Sequence, residues 1–187
     1  MIRIGRRRGL SFTIDDFVDC GGATLLRPDA WTVSAVMKLS VDVVSPVLGW
    51  HSSAQFPGVF PAAPFNARRP LIWLASNCFR YFEKDNPVDT QDNDWHFFSF
   101  TCPGNTAANI VNSALRIDGQ DQVVNSTTST QDGGTKDACR IGAAGTVYFA
   151  EGETAFFALH DRVLSIGEQD AMRDFAKKEL AGRVALP

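Results

Sequence analysis

Residues 83–94 (EKDNPVDTQDND) form the stretch of this 187-residue chain whose side chains are best suited to chemistry. The stretch contains four aspartates and two asparagines: Asp85, Asp89, Asp92, Asp94, Asn86 and Asn93. Oxygen ligands crowded on one loop suit Ca²⁺, so the aspartates are a candidate calcium site, and calcium is the one cofactor that the sequence suggests. Their spacing is not that of an EF-hand, and no glycine supplies a sharp turn. An acidic, solvated loop is the alternative.

The carboxylate pair that glycoside hydrolysis requires is missing from the strand segments. That reaction needs two acids facing one side, about 5–10 Å apart. Glu151 and Glu153 share a face but lie in a turn-like segment without a third acid, and Glu168 is engaged in capping a helix. The histidines are His51, His96 and His160. No G-x-S-x-G or phosphate-binding glycine motif accompanies them. The sequence therefore predicts a protein that is not an enzyme, with His96 in a structural role.

The first ten residues form a basic arm in front of a single predicted domain, residues 11–187. The arm contains Arg3, Arg6, Arg7 and Arg8. The whole chain carries a net charge of -3, which argues against nucleic acid as a main partner. Because the planar guanidinium makes two parallel bonds to one carboxylate, the four arginines are candidate partner-binding residues for an acidic protein surface.

Aromatic residues concentrate in and around residues 52–70, a stretch rich in proline, glycine, alanine and phenylalanine. We predict a long irregular loop here, and loops of that length are uncommon unless they are functional. The candidate ligand-binding patch consists of Trp50, Phe56, Phe60, Phe65 and Trp73. Such rings could stack on sugars or on a protein neighbour. The alternative is that the loop folds over the domain as a lid.

Short apolar runs separated by turn residues position these groups. The segment 31–40 (WTVSAVMKLS) alternates with a period of two, which predicts a strand with one face on a core and the other largely wet, Val36 being the exception. The segment 95–102 (WHFFSFTC) is apolar on both faces, as in a central strand. Further strands are predicted at 11–19, 43–50, 71–75, 79–83, 115–118, 122–125, 139–142, 147–150 and 154–160. Residues 125–137, rich in serine and threonine, predict a loop.

A capping box begins the one substantial helix that the sequence predicts, over residues 165–181. Ser165 with Glu168 three residues later is the box, and Met172, Phe175 and Leu180 follow at helical spacing. Short strands with turn punctuation and one terminal helix predict an all-β, two-sheet antiparallel sandwich with the helix packed on it.

The order of several motifs resembles laminin G-like jelly-roll domains of the concanavalin A-like lectin and glucanase superfamily. The segments that carry the resemblance are 16–20 with 31–39, 93–96 (NDWH), 115–120 (LRIDGQ), 139–142 (CRIG) and 160–165 (HDRVLS) with Glu168. They extend over nearly the whole chain. The resemblance implies a concanavalin A-like jelly roll, and domains of this kind often hold calcium at the rim of the sandwich. These residues make the fold and do not themselves imply a ligand.

The sequence has no apolar run of the roughly 18 residues that a membrane-spanning helix needs. Polar residues interrupt any signal-peptide core at the N-terminus, so we expect synthesis in the cytoplasm without a signal peptide. The cysteines are Cys20, Cys78, Cys102 and Cys139. They allow three disulfide connectivities that sequence cannot separate, and free buried thiols are expected in the cytoplasm.

Two function hypotheses follow. The first is a structural module: a decoration, cement or tail component of a phage-like virion, displayed on the particle surface, with protein subunits as partners in a homo-oligomer or on a shell protein. The second is a glycan-binding, lectin-like module for surface attachment, with or without calcium. Neither hypothesis involves nucleic acid or membrane insertion.

Overall fold

The computed structural model describes residues 10–12, 18–22, 30–39, 45–51, 58–63, 67–132, 138–144, 148–149 and 152–187. Within these ranges the strands, in chain order, are β1 Leu10–Phe12, β2 Val18–Gly22, β3 Trp31–Lys38, β4 Leu48–His51, β5 Gly58–Phe60, β6 Leu71–Ala75, β7 Cys78–Phe82, β8 Trp95–Cys102, β9 Ala114–Ile117, β10 Gln120–Asp121, β11 Val124–Ser129, β12 Ala138–Ile141, β13 Ala143–Ala144, β14 Tyr148–Phe149 and β15 Gly152–His160. The helices are α1 Ala107–Ile110 and α2 Ile166–Leu180. In these same ranges no helix is long and apolar enough to cross a membrane.

Two antiparallel sheets face each other across one apolar core, and α2 packs on the outside. Sheet A has the order β1-β15-β3-β8-β9-β10, and sheet B has the order β11-β7-β6-β5-β4-β12-β2. Both sheets contribute to the core; Val33, Met37 and Phe98 come from sheet A, and Leu48, Ile72 and Phe82 from sheet B. Each such side chain stabilises the fold by about 1.5–3 kcal/mol when fully buried. The predicted two-sheet sandwich with a C-terminal helix is confirmed.

Helix α2 explains the exception in the alternation of β3. Val36 points away from the core between the sheets and packs with Phe97 of β8 and with Ala176 and Leu180 of α2. The polar residues Thr32 and Ser34 on the same face are also fully buried. The prediction that this face is largely wet is therefore wrong, because α2 and the segment that leads into it cover the face. The prediction of β8 as a central strand is confirmed, since it lies between β3 and β9.

The start of α2 follows the predicted capping box. The Ser165 hydroxyl accepts the backbone N–H of Glu168, and the Glu168 carboxylate accepts the backbone N–H of Ser165 at 2.9 Å. The same carboxylate pairs with Arg162, and the bond from that guanidinium, followed by the bonds from Ser165, lowers the pKa of Glu168 to about 2. Local residues thus determine where the helix begins.

Several predicted loops and strand limits differ from the structure. The predicted loop 125–137 holds β11, which is the edge of sheet B, and the predicted loop 52–70 holds β5. The predicted strand 11–19 divides into β1 in sheet A and β2 in sheet B, and the short helix α1 was not predicted. Pairing with strands distant in the chain places β1, β2 and β11 in their sheets, and the local patterns contain no sign of such pairing. Helix α1 instead begins at a local cap, in which the Thr106 side chain accepts the backbone N–H of Asn109.

Two facing glycines let a third layer lie directly on sheet B. Gly49 of β4 and Gly58 of β5 are register partners. A Cβ atom on Gly49 would lie 2.0 Å from the Ala143 carbonyl oxygen and 2.3 Å from the Ala144 Cα atom. The β13 backbone therefore packs on the outer face of sheet B because no side chain stands between them.

Gly49→Ala should destabilise the protein, because the atoms that block the added methyl group belong to backbone. Overpacking of this kind costs about 1–3 kcal/mol. Gly167→Ala is the matched control, since nothing lies within 4 Å of a Cβ there and the site is helical. Chemical denaturation measures both changes. A Gly49→Ala protein as stable as the unmodified chain would contradict the direct packing of β13 on β4.

Candidate functional site

The hairpin of β6 and β7 places a pair of aromatic residues side by side on the outer face of sheet B. Two residues separate the strands, and the register sets Trp73 opposite Phe79 and Leu71 opposite Tyr81. Because directly opposed residues share a face, these side chains project together away from the core. Phe60 of β5 lies opposite Leu71 and joins the same face.

These four aromatic residues form what we call the outer-face aromatic site: Phe60, Trp73, Phe79 and Tyr81. The Phe60 and Trp73 ring centroids are 6.3 Å apart, and those of Phe79 and Tyr81 are 5.5 Å apart in an edge-to-face arrangement. Phe60 and Tyr81 are buried, whereas Trp73 and Phe79 are half-buried. The indole N–H of Trp73 donates to the Ala75 carbonyl, which holds the ring in place. The site thus has a buried base and two rings that reach solvent.

Polar groups border the aromatic residues at the end of β7. Glu83 accepts hydrogen bonds from Asn125 at 2.6 Å and from Arg69 at 3.1 Å. The bond from Asn125, followed by that from Arg69, lowers the pKa of Glu83. On the edge strand β11, Ser126 lies opposite Tyr81 and so faces the same way. Glu83 comes directly after β7 and two residues after Tyr81, so an amide, a guanidinium, a carboxylate and a hydroxyl lie at the Tyr81 end of the site.

The structure brings together two of the five aromatic residues predicted as a patch. Phe60 and Trp73 meet, but Phe60 is fully buried and supports the site from below. Trp50 lies in β4, and its side chain is outside the described residues, as are Phe56 and Phe65. Sequence reasoning missed Phe79 and Tyr81, and with them Arg69 and Glu83. Phe79 and Tyr81 stand two residues apart in 78–82 (CFRYF), so they share one face of a strand. This spacing, just after the strand that contains Trp73, was the signal that could have found them.

Two of the four aspartates in the acidic stretch bond to neighbouring groups of the protein. All four candidate aspartates lie in the continuously described range 67–132, and no group of three or more acidic, histidine or cysteine side chains is placed there to hold a metal ion. Asp92 instead bonds to His96 and accepts the backbone N–H of Asp94, and Asp89 accepts the N–H of Gln91. All four aspartates are exposed. Calcium binding by Asp85, Asp89, Asp92 and Asp94 therefore stays a prediction, and a bound ion would have to draw these side chains together.

His96 is buried between two carboxylates. Its Nδ1 atom lies 2.6 Å from Asp118, and its Nε2 atom lies 3.0 Å from Asp92. Asp118 belongs to the Asp-Gly turn after β9 and also accepts the backbone N–H of Phe97. Burial lowers the pKa of His96, but the bonds to Asp118 and Asp92 outweigh burial and raise that pKa to about 9. His96 thus joins β8, the turn and the acidic stretch.

The remaining predicted groups are scattered. His160 is half-buried at the end of β15, and burial followed by the charge of Arg162 lowers its pKa. Glu153 is exposed on β15, and Glu151 lies outside the described residues. Cys78 and Cys102 are buried. The side chains of Cys20, Cys139 and His51 and the arm arginines Arg3, Arg6, Arg7 and Arg8 also lie outside the described residues.

Stability should fall as the pH rises from about 6.5 through about 9. The folded-state pKa of His96 exceeds the ordinary value of 6.5, so the folded protein binds the extra proton, and the stabilisation present below 6.5 is lost as that proton leaves. The loss in the free energy of unfolding is on the order of 3 kcal/mol. Thermal melts at several pH values measure it. His96→Gln should be less stable at neutral pH and have a flatter profile. If melting temperature depended on pH in the same way in His96→Gln and in the unmodified protein, His96 would not be the titrating group.

No protein-family model and no curated protein matches this sequence. Among solved structures, the fold is similar to domain 4 of AbnA, an extracellular GH43 arabinanase from Geobacillus stearothermophilus, in complex with arabinotriose, with a TM-score of 0.60 and 11% identity over 83% of this chain and 71% of that chain. A structure described as the receptor binding domain matches with a TM-score of 0.58 and 8% identity over 88% of this chain and 41% of that one. The binding domain of Botulinum neurotoxin DC, in complex with rat synaptotagmin II, matches with a TM-score of 0.51 and 7% identity over 80% and 36%. The chain thus spans less than half of the latter two, and the likeness is one of fold.

Proposed function

We propose that this protein is a non-enzymatic binding module that recognises carbohydrate through the outer-face aromatic site. The single observation that carries the proposal is the pair of half-buried rings, Trp73 and Phe79, held side by side on a rigid sheet. Flat apolar ring faces match the apolar faces of sugar rings, and a few polar groups beside them would bond the hydroxyls. Asn125, Arg69 and Glu83 supply donors and acceptors at the Tyr81 end of the site.

The fold supports the same proposal. The similar structures include an arabinanase domain in complex with arabinotriose and binding domains of toxin or receptor type. Together with the motif order noted above, this favours a laminin G-like jelly roll of the concanavalin A-like class, as one domain over residues 11–187. Folds of this class place function in sites on their surfaces, so the aromatic residues and not the fold must determine the ligand.

The positions of the acids support a role without catalysis. Glu83 is paired with Arg69, and Glu168 is held by Arg162 and the cap of α2. These carboxylates are therefore held in structural pairs and are not poised as a general acid and a nucleophile. The half-buried rings, in contrast, have surface left for a ligand.

Trp73→Ala and Phe79→Ala should each weaken carbohydrate binding by roughly tenfold or more, because each removes one face of contact. Truncating an aromatic residue at a binding hot spot costs about 2 kcal/mol or more. A glycan array of neutral and acidic oligosaccharides identifies the ligand, and calorimetry measures the variants. Phe175→Ala on α2 is the matched control, a half-buried aromatic outside the site, and should leave affinity unchanged. Binding that survives both site substitutions, or an array without any bound glycan, would overturn the proposal.

The decoration-protein hypothesis stays a prediction, since the arm on which it depends lies outside the described residues. Under it, Arg3, Arg6, Arg7 and Arg8 pair with carboxylates of a neighbouring subunit. Deleting residues 1–8 should then leave the domain folded but prevent its incorporation into the particle, and added salt should weaken attachment. Co-sedimentation of the truncated protein with the assembly measures this. If the truncated protein still filled all its positions on the particle, the hypothesis would be wrong. The truncation should not affect glycan binding.

A further inference from the structure

Strand β11 is the edge of sheet B in the described part of the chain. On one side it pairs with β7, where Thr127 lies opposite Arg80 and Ser129 opposite Cys78. Its first four residues are exposed, and the last two are half-buried. Backbone N–H and C=O groups on the other side of an edge strand have no partner within the sheet, so such a strand is a template for pairing with another chain.

The edge lacks the side chains that usually protect a long edge strand. Monomeric proteins place lysine, other charges or proline at such edges. Residues 123–130 read VVNSTTST, without a charged residue or a proline. Five of these eight residues are β-branched and so favour an extended strand: Val123, Val124, Thr127, Thr128 and Thr130. A bulge lies between Val124 and Ser126, and the stretch from Ser126 to Ser129 is regular.

Exposed apolar side chains gather beside the same edge. Among the described residues, five large hydrophobic side chains are exposed, and three of them belong to this region: Val111 at 42%, Val123 at 46% and Val124 at 38%. Val111 follows α1, and Arg80 of β7, the strand that pairs with β11, donates hydrogen bonds to the carbonyls of Ile110 and Val111. Clustered exposed hydrophobic residues mark interaction surfaces more often than scattered ones do.

We propose that β11 is a dimer interface, at which a second copy of this chain pairs its own β11 antiparallel to the first with Thr127 near the two-fold axis. The occupant is a second copy because two identical uncharged strands meet without like-charge repulsion, and an isologous contact is self-complementary. Sheet B then continues from one copy into the next. Val123 and Val124 at the start of each strand are covered in the same contact.

The dimer would also present two outer-face aromatic sites on one surface. A two-fold axis between antiparallel edge strands runs perpendicular to the sheet, so the outer faces of both copies point the same way. Ser126 of β11 lies opposite Tyr81 of the site, which places each site close to the proposed interface. Two linked sites strengthen binding to a multivalent ligand without any new contact. This consequence depends on the proposed carbohydrate function, whereas the interface itself does not.

Analytical ultracentrifugation of the full chain over a range of concentrations tests the interface. The unmodified protein should sediment as a dimer in equilibrium with monomer, and Thr127→Lys should raise the dissociation constant by roughly tenfold or more, because two ammonium groups then meet near the axis. Ile166→Lys is the matched control, the same added charge on an exposed apolar side chain of α2, and should leave the equilibrium unchanged. Circular dichroism verifies that both variants fold.

Hydrogen exchange identifies the surface directly. The backbone amides of β11 should gain protection as the concentration of the unmodified protein rises, and this gain should be absent in Thr127→Lys. A protein that stays monomeric at its highest attainable concentration, or a dimer that Thr127→Lys leaves intact, would overturn the proposal. Loss of glycan binding in a protein that still dimerises would count against the proposed function alone.

Discussion

Apolar side chains on both faces of β8 are the constraint on which the rest of this structure depends. Phe98 and Phe100 enter the core between the sheets, while Phe97 lies on the opposite face against Val36 of β3. A strand that is apolar on both sides must be covered on both sides, because each exposed ring would lose the stabilisation that burial provides. Sheet B covers one face and helix α2 covers the other, and the fold is therefore three layers deep at this strand.

Sheet B has a different environment on its outer face. The glycine pair, Gly49 and Gly58, allows β13 to lie on β4 and β5, and Ala144 joins the cluster around the aromatic residues. Trp73 and Phe79 lie beyond that cover, on strands nearer the edge, and stay half-buried. The location of the candidate site thus follows from how the two outer faces are covered. Rings anchored on buried neighbours have little conformational entropy left to lose on binding a ligand.

Charged groups join the periphery of the fold to its core. Asp118 bonds His96 and the backbone of β8, and Arg173 of α2 donates to the Asp118 carbonyl. Arg116 of β9 pairs with Asp170 of α2 at 3.1 Å. These bonds connect the β9–β10 turn to the helix and to the acidic stretch. A buried charge is costly without a partner, and this explains why the buried His96 is paired with both Asp118 and Asp92.

Local patterns in the sequence determined the elements whose causes are local. The period of two in β3, the apolar run of β8 and the capping box at Ser165 and Glu168 each depend on residues close in the chain, and each is confirmed. Tertiary structure decided the rest. The segment of β11 has no alternation of apolar and polar residues. Its β-branched residues favour an extended conformation, but its place in sheet B depends on pairing with β7. The site itself arises from register, which sets Trp73 opposite Phe79. A shift of one residue would turn either ring to the other face, and such a register depends on the packing of the whole sheet.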